Sequence, residues 1–386
     1  MNMASVANTG GGGLPRVLQL RSSAGLYGAD RAVLGLDAAL ASSGRVHSRL
    51  ATVHNPLLPS QLLLEESRRR GRAALDLPCA GRFDRHTLAA LSANVDAQRV
   101  DVVHAHDYKS AFLAWIACRR RPVRLVATQH GWVESTLALR AYHSLEAVVL
   151  RRFDAVVMVS AAQRPRLVRA GVPESRLHQI GNGIELPPGT GNRPAVAGVE
   201  PGDGHVFAAV GRLSPEKNIG LLLAAFARVV QRSPRARLLL AGDGPQRSAL
   251  EASAAQLGIA DRVSFLGVRD DVAALWPGID TLALPSLSEG MPLVVLEAMA
   301  HGVPVVASAV GEVPSLLSQA EHGRLVVPGD VHALASALLA ALADGRRRDA
   351  RASAYVRAHH GLDTVADAHA ALYLGLLEQP RARASA

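Results

Sequence analysis

Short apolar runs that alternate with helix-length stretches constrain the fold of this chain more than any other feature. In the first half the runs cover residues 16–20, 49–54, 101–106, 124–130 and 155–160, and helices are predicted at 29–43, 84–98 and 134–150. Continuous apolar runs of this length are typical of parallel strands that are buried on both faces. The pattern therefore predicts an α/β domain with a doubly wound parallel sheet.

The same alternation restarts after a stretch rich in proline and glycine at 187–205. Strands are predicted at 206–210, 237–242, 263–267, 281–286 and 303–308, a helix at 219–230, and helices over 331–377 with breaks at Gly345 and Gly361. Two such halves predict two Rossmann-like domains with ligands at the carboxyl ends of their strands. The predicted organisation is a flexible tail (1–13), an N-terminal domain (14–190), a linker (191–204), a C-terminal domain (205–360) and a final segment (361–386).

The cysteines and histidines predict no metal site. The two cysteines, Cys79 and Cys118, lie far apart and outside any CxxC pair, which argues against a disulfide framework and fits a reducing cytoplasm. Metal-type histidine spacing is limited to His104-x-His106 and the adjacent pair at 359–360, and neither has partners nearby in the sequence.

Positive charge is concentrated in the first half. The net charge is +9, and residues 1–200 carry 25 Lys and Arg against 15 Asp and Glu. This asymmetry favours contact with a polyanion or an anionic membrane, with the densest runs at 68–70 and 119–121. The alternative is that both runs are solvated helix ends. Nucleic acid is not predicted, because aromatics make up only 4% and no recognition motif is present. No apolar run approaches the ~20 residues that span a bilayer, and residues 1–16 do not resemble a signal peptide.

The stretch 288–308 carries the most chemical information. Pro292 is suited to the first position of a helix, so free amides near Gly290 would form an anion-binding helix N-terminus. Glycine there also lets a ligand approach the backbone. Glu297 falls in the second turn, where a carboxylate can accept two hydrogen bonds from a vicinal diol such as ribose. The alternative is an ordinary amphipathic helix with exposed glutamates at 289 and 297.

A second loop between strand and helix, at 210–220, carries Arg212 and Lys217. The chain has only two lysines against 40 arginines, so a lysine here departs from the local composition. Fixed cations can stabilise the charge that a diphosphate leaving group develops as its bond breaks. The alternative is a pair of surface cations that flank a loop.

Together these segments resemble the family 4 retaining glycosyltransferases of the GT-B fold. Glu289 and Glu297, separated by seven residues, match the paired-glutamate motif of that family. GRLSPEKN matches its phosphate-binding loop, LLLAGDGP its next strand and turn, and NGI at 182–184 the segment before the linker. The resemblance covers most of the chain and is strongest over 180–310. It implies two Rossmann-like domains that face a central cleft, with the last helices crossing back to the first domain.

The resemblance also implies the roles of individual residues in the C-terminal domain. Arg212 and Lys217 would hold the donor diphosphate, Glu297 the ribose hydroxyls and Glu289 a hydroxyl of the transferred sugar. Contacts to phosphate and sugar would be completed by the segment Gly290, Met291, Pro292 and Leu293. The nucleotide base would meet Val268 and Arg269.

Two N-terminal positions are added to the predicted site. Gly28 lies in the loop 23–30, where glycine gives the backbone freedom to approach the donor phosphates. The loop departs from the Gly-Gly form common in the family and lacks the glycine spacing of a dinucleotide fingerprint, which argues against a NAD enzyme. His130 ends a predicted strand and matches the family histidine expected near the transferred sugar and the acceptor. Of His104 and His106, one is expected to face the cleft and the other to be structural.

The predicted reaction is front-face transfer with retention, in which the leaving phosphate takes the acceptor proton. The chain contains no Asp-x-Asp triplet, so we predict activity without a metal ion and with no cofactor beyond the co-substrate, a UDP- or GDP-sugar. The expected acceptor is a lipid-linked or envelope glycan, at a cytoplasmic protein that can bind the inner face of the membrane peripherally. A sugar-nucleotide 2-epimerase and a catalytically silent GT-B subunit are the alternatives.

Overall fold

The first half of the chain forms a seven-stranded parallel sheet. The computed structural model describes residues 13–23, 25–57, 61–81, 84–131, 148–187, 204–320 and 322–380. The strands of this sheet are β1 (Arg16–Ser22), β2 (His47–His54), β3 (Leu75–Pro78), β4 (Val102–Ala105), β5 (Arg124–Gln129), β6 (Ala155–Met158) and β7 (Leu177–Gln179). Their spatial order is β3-β2-β1-β4-β5-β6-β7.

The second half forms a six-stranded parallel sheet. Its strands are β8 (Val206–Val210), β9 (Arg237–Ala241), β10 (Val263–Gly267), β11 (Thr281–Leu284), β12 (Val305–Ser308) and β13 (Arg324–Val326). Their order is β10-β9-β8-β11-β12-β13. In both sheets the strand order reverses beside the first strand of that half, between β1 and β4 and between β8 and β11. Ligands of doubly wound sheets bind at such switch points, outside the carboxyl ends of the strands.

Helices cover both sheets. The α-helices are α1 (Gly28–Ser42), α2 (Leu62–Arg69), α3 (Arg85–Ala97), α4 (Tyr108–Cys118), α5 (Arg164–Arg169), α6 (Ile219–Arg232), α7 (Arg247–Gln256), α8 (Val272–Leu275), α9 (Leu293–Ala300), α10 (Val313–Gln319), α11 (Val331–Asp344), α12 (Ala350–His359) and α13 (Leu362–Glu378). Several begin at an aspartate whose carboxylate accepts hydrogen bonds from amides of the first turn, as Asp84 does for α3 and Asp330 for α11. No helix in the described ranges is long and apolar enough to cross a membrane.

The predicted strands are confirmed to within a few residues, and Gly345 and Gly361 do break the C-terminal helical region. Sequence analysis missed β3, β7 and β13, because each has only three or four residues and mixes polar with apolar side chains. The sequence predicted Pro292 at the first position of α9. The helix instead begins at Leu293, and Pro292 is the residue before it. The tail 1–12, most of the helix predicted at 134–150 and nearly all of the linker 191–204 fall outside the described residues.

The last helix packs on the first domain. One face of α13 contacts α1 and closes a hydrophobic core with the first sheet. This core contains, from the sheet and α1, Val17, Leu36, Leu40, Val102, Val126 and Val157, and from α13, Val365, Ala366, Ala370, Tyr373 and Leu376. Tyr373 is fully buried there. The first described strand and the last described helix thus lie in the same half of the molecule.

Candidate active site

A cleft between the two halves collects the loops that follow β1, β8 and β11. It holds about 1520 Å³ of empty space, counted out to open solvent. All the residues predicted from the sequence as site residues line this one cleft. They are Gly28, His130, Arg212, Lys217, Val268, Arg269, Glu289, Gly290, Met291, Pro292, Leu293 and Glu297.

Lys217 and Glu289 form an ion pair at the centre of the cleft. The Lys217 Nζ lies 2.6 Å from the Glu289 Oε1, and the Ser286 hydroxyl donates to the same oxygen at 2.7 Å. The side chains of Lys217 and Glu289 are 22% and 10% exposed, so this is a largely desolvated pair. Lys217 ends a short 3₁₀ turn, and Asn218 follows in the left-handed conformation with φ of 53°. The turn therefore directs the lysine toward the loop after β11.

Glu297 lies on the second turn of α9 with its carboxylate sheltered from water. Burial raises the pKa of Glu297, while the positive charge of Arg31 across the cleft opposes the shift. The Trp276 indole also lies close enough to lower the pKa, although no described residue completes hydrogen-bond geometry with its Nε1. Such a shielded carboxylate keeps strong acceptor oxygens for a ligand diol. Arg31 is a cleft residue that the sequence analysis missed.

Gly290 lies so close to the backbone of the opposite domain that no side chain fits there. A Cβ added at Gly290 would lie 2.1 Å from the carbonyl oxygen of His130. The reciprocal position, Gly131, has φ of 128° and would bring a Cβ within 3.2 Å of the Gly290 amide nitrogen. The two domains therefore touch backbone to backbone at the floor of the cleft. Sequence analysis assigned this glycine to a close approach by ligand, whereas the structure places the polypeptide of the first domain against it.

Arg212 reaches across the cleft to the loop that follows β1. Its guanidinium carbon lies 5.3 Å from the centroid of the Tyr27 ring, within the range of a cation–π contact. Both side chains are exposed to the cleft. The loop is held by Asp30, whose carboxylate accepts from the Tyr27 amide at 2.8 Å and from the Arg21 guanidinium at 2.7 Å. Sequence analysis missed Tyr27 and Asp30.

Asn182 fixes the segment that precedes α9. Its side-chain amide donates to the Met291 carbonyl at 2.8 Å, and its backbone amide lies 3.1 Å from the Met291 sulphur. Asn182 also lines the cleft. The NGI stretch gave the signal for this residue, but no contact could be assigned to it from the sequence.

The residues predicted to meet the base lie at the outer end of the cleft. Val268 is 75% exposed and lines the cleft. Arg269 forms a bidentate ion pair with Asp271, with N–O distances of 2.8 and 2.5 Å. The exposed apolar surface of Val268 and the planar guanidinium of Arg269 together form a surface on which a flat ring can stack.

His130 stands where the cleft meets a second, smaller pocket of about 850 Å³. That pocket is also lined by His106, Asp107 and Glu289. Burial, followed by the charge of Arg21, lowers the pKa of His130 to about 3, so its imidazole is neutral at physiological pH. His104 and His106 also lie at the end of a strand. His106 lines the second pocket, whereas His104 is buried in the interior.

Two doubly wound domains facing a cleft that combines cationic and carboxylate side chains define a GT-B glycosyltransferase. The chain belongs to glycosyltransferase family 4: residues 28–186 match the model described as Glycosyltransferase Family 4, and residues 204–344 match that of Glycosyl transferases group 1. The GT-B fold and the family resemblance predicted from the sequence are thus confirmed.

Curated relatives and solved structures agree with this assignment. The chain is 31% identical over 292 residues to a glycogen synthase of Mycobacterium tuberculosis, covering 72% of this chain and 69% of that protein. It is 34% identical over 304 residues to the D-inositol 3-phosphate glycosyltransferase of Mycolicibacterium smegmatis, covering 73% and 69%. The structure of Anabaena HepE in complex with UDP superposes with a TM-score of 0.77 at 20% identity, covering 93% of this chain and 100% of that one.

Proposed function

We propose that this glycosyltransferase moves a sugar from a nucleotide diphosphate sugar to an acceptor hydroxyl with retention of anomeric configuration. The observation that carries the proposal is the Lys217–Glu289 pair at 2.6 Å, which lies in the same cleft as Arg212 and Glu297. An ammonium and a guanidinium can neutralise a diphosphate, while two carboxylates can accept from sugar and ribose hydroxyls. HepE was crystallised with UDP-glucose, which makes a uridine nucleotide the first donor to test.

The ion pair indicates how the two buried charges of the cleft are compensated before a donor binds. Lys217 and Glu289 each neutralise the other while both are largely shielded from water. An arriving diphosphate offers the ammonium a second anion, and the sugar offers the Glu289 carboxylate a hydroxyl donor. Each partner can thus take on a ligand contact without being left as an isolated buried charge.

The proposed transfer takes place on one face of the sugar. The bond between the anomeric carbon and the diphosphate oxygen breaks, and the electron pair leaves with the diphosphate. The acceptor oxygen forms its bond to the same carbon from the same side, and its proton passes to the leaving phosphate oxygen. Arg212 and Lys217 stabilise the charge of that leaving group, and Glu297 would hold the ribose.

A donor screen tests the nucleotide site. The thermal stability of wild-type protein and of Glu297→Gln is measured with UDP-, GDP- and ADP-sugars, and hydrolysis of each donor is followed in parallel. We expect one donor to raise the melting temperature of the wild type and to lose much of this effect in the variant. If no nucleotide sugar stabilises or is turned over by the wild type, the proposal fails. Binding without turnover would favour the catalytically silent subunit.

The role of Lys217 can be tested against a matched control, because Lys109 is the one other lysine of the chain. Lys217→Met should lower kcat about 100-fold or more, in the range seen when one electrostatic donor to a transition state is removed. Lys109→Met should leave kcat within about twofold. Equal kcat values for the two variants would contradict the assigned role.

We also propose that the reaction needs no metal ion and no additional cofactor. The support is the pair of fixed cations, Arg212 and Lys217, which can supply the positive charge that a divalent ion provides on other diphosphate donors. EDTA is then expected to leave turnover unchanged in protein purified without added metal. Abolition of turnover by EDTA and its recovery on adding Mg²⁺ or Mn²⁺ would refute this part of the proposal.

For the acceptor we propose a lipid-linked or envelope glycan at an anionic membrane surface. The support is the excess of positive charge in the first 200 residues. The arginine runs contribute less than their number suggests, because Glu66 pairs with Arg69 and Arg70, and Asp96 pairs with Arg121. Binding to vesicles with anionic lipid should exceed binding to neutral vesicles and weaken with salt. Equal binding to both would refute the membrane proposal.

A further inference from the structure

A line of hydrogen bonds runs from a shielded ion pair on the first domain to His130 in the cleft. Its far end is Asp37, which accepts from Arg72 at 2.6 Å and from the Ser48 hydroxyl at 2.7 Å. The Asp37 side chain is 2% exposed and forms an ion pair with the Arg72 guanidinium, and a carboxylate in such a pair accepts hydrogen bonds and donates none. The Ser48 hydroxyl proton is therefore committed to Asp37, which leaves a lone pair on its oxygen.

Gln19, on β1, is the next residue in this line of hydrogen bonds. Its amide group lies between three partners: Ser48 Oγ at 3.5 Å, the Tyr373 hydroxyl at 3.3 Å and His106 Nε2 at 2.7 Å. Ser48 presents a lone pair, so the amide nitrogen of Gln19 must face it. The amide oxygen then faces His106. Tyr373, from the C-terminal helix, accepts from the same nitrogen and is left to donate to the buried His104 at 2.6 Å.

The orientation of Gln19 sets the proton positions on two histidines. An amide oxygen accepts only, so His106 carries its proton on Nε2 and has a lone pair on Nδ1. That Nδ1 lies 3.2 Å from His130 Nε2. His130 must therefore carry its proton on Nε2, which leaves a lone pair on its Nδ1. Burial holds the pKa of His106 well below its ordinary value, so His106 gains no second proton.

The opposite assignment is less favourable. If the nitrogen and oxygen of the Gln19 amide exchanged places, the amide would donate to His106 Nε2. His106 would then carry its proton on Nδ1 and donate to His130 Nε2, so His130 would carry its own proton on Nδ1. This atom is buried and has no hydrogen-bond partner among the described residues. The reversed line would thus leave a buried N–H without an acceptor, which native proteins rarely tolerate, whereas a lone pair without a donor is less rare.

We infer that Gln19, His106 and Tyr373 are positioning residues that hold His130 in the neutral tautomer with its proton on Nε2 and an unprotonated acceptor on Nδ1. Gln19 and Tyr373 were not among the predicted site residues, whereas His106 was one of two histidines of which one was expected to face the cleft. Nδ1 is buried in this structure, so a ligand reaches it only after a local movement of the cleft wall. The ligand group that meets it must then be a hydrogen-bond donor, and a sugar hydroxyl meets that requirement where a phosphate oxygen does not. The use of this acceptor in catalysis rests on the proposed transferase function, whereas the tautomer itself does not.

The tautomer is measured by long-range ¹H–¹⁵N correlation spectra of the full chain with ¹⁵N-labelled histidine at pH 7. The His130 signals are assigned by their loss in His130→Asn. We expect a protonated Nε2 and an unprotonated Nδ1. A proton on Nδ1, or on both nitrogens, would overturn the inference without requiring any variant of the positioning residues to fold.

Two substitutions at Gln19 then test the line itself. In Gln19→Glu the carboxylate favours a second proton on His106, whose Nδ1 becomes a donor, so the proton of His130 should move to Nδ1. In Gln19→Met all three contacts of the amide are lost, so both His130 tautomers should be populated. The same change at an exposed site, Gln98→Glu, should leave His130 unchanged. A His130 signal that is identical in Gln19→Met and wild type would refute the positioning role.

Kinetics separate positioning from folding. With UDP-glucose as probe, Gln19→Glu should lower kcat about 100-fold, the scale of one misplaced proton-transfer or hydrogen-bonding group, and change KM by less than about threefold. An unchanged kcat in a variant with the reversed tautomer would remove His130 Nδ1 from catalysis. Inactivity of the wild type toward every nucleotide sugar would instead count against the proposed function and leave the tautomer assignment standing.

Discussion

Gly290→Ala isolates the contact between the two domains. The new Cβ would lie 2.1 Å from the His130 carbonyl oxygen, whereas real Cβ contacts are essentially never shorter than 3.0 Å. The shortfall is 3.0 − 2.1 = 0.9 Å. The oxygen belongs to the backbone and the position of a Cβ is fixed by its own backbone, so no side-chain rotation can relieve the overlap. The loop after β11 and the strand end at His130 must therefore separate by about 1 Å.

This displacement acts on the geometry of the cleft more than on the stability of either domain. Glu289 precedes Gly290 in the second domain, and His130 belongs to the first domain. When the two backbones separate, the Glu289 carboxylate and the His130 imidazole therefore move apart. A misplacement of about 1 Å can lower a rate about 100-fold. The free energy of unfolding should fall by about 1–3 kcal/mol, the usual cost of one surplus methyl group.

The assay compares kcat for UDP release from UDP-glucose with the urea midpoint in the same variants. Gly375→Ala is the matched control, because a Cβ at Gly375 on α13 meets nothing within 4 Å. It should keep its kcat and gain up to about 1 kcal/mol of stability, since alanine is the better helix former. A kcat for Gly290→Ala within about threefold of the wild type would refute the reasoning.

Other predictions concern the walls of the cleft. Gly28→Ala should leave the urea midpoint unchanged, since a Cβ there meets no protein atom within 4 Å, and should weaken UDP binding in calorimetry if the diphosphate packs against this turn. Asp30→Asn should lower the free energy of unfolding by about 3 kcal/mol, because it leaves Arg21 with a weaker partner in a shielded loop; a urea midpoint equal to that of wild type would contradict this. Acid should destabilise the protein steeply: burial lowers the pKa of four histidines, so below pH 6.5 their imidazoles gain protons in the unfolded chain but stay neutral in the folded one, at about 1.4 kcal/mol per histidine and pH unit. The urea midpoint should therefore fall from pH 6.5 toward pH 5, and a flat profile would argue against neutral histidines. These are His104, His106, His130 and His369.

The fold was predictable because several of its central strands are almost entirely apolar. Runs such as 206–210 and 281–284 have no polar interruption, so the period-free pattern of a sheet buried on both faces was evident. The edge strand β3 was not, because LDLP carries an aspartate and a proline. An edge strand has one neighbour and needs less apolar surface.

The candidate site was predictable where motif residues follow strands, as Lys217 follows β8 and Glu289 follows β11. Contacts across the cleft were not predictable. Tyr27 and Arg212 are separated by 185 positions and meet only because the domains face each other. The line from Asp37 to His130 was equally hidden, since no local pattern distinguishes a buried glutamine on β1 from an ordinary strand residue. The hydrogen-bond partners of such a residue are set by tertiary packing.

The position of α13 also affects how the chain can fold during synthesis. The last strand of the first sheet ends at Gln179, but this domain's core is completed only by α13, whose last buried core residue is Leu376. At typical translation rates roughly 10 to 40 s pass between the two. During that interval the second domain can fold, while the first still exposes the apolar surface on which α13 will pack. The domain synthesised first is therefore the domain completed last.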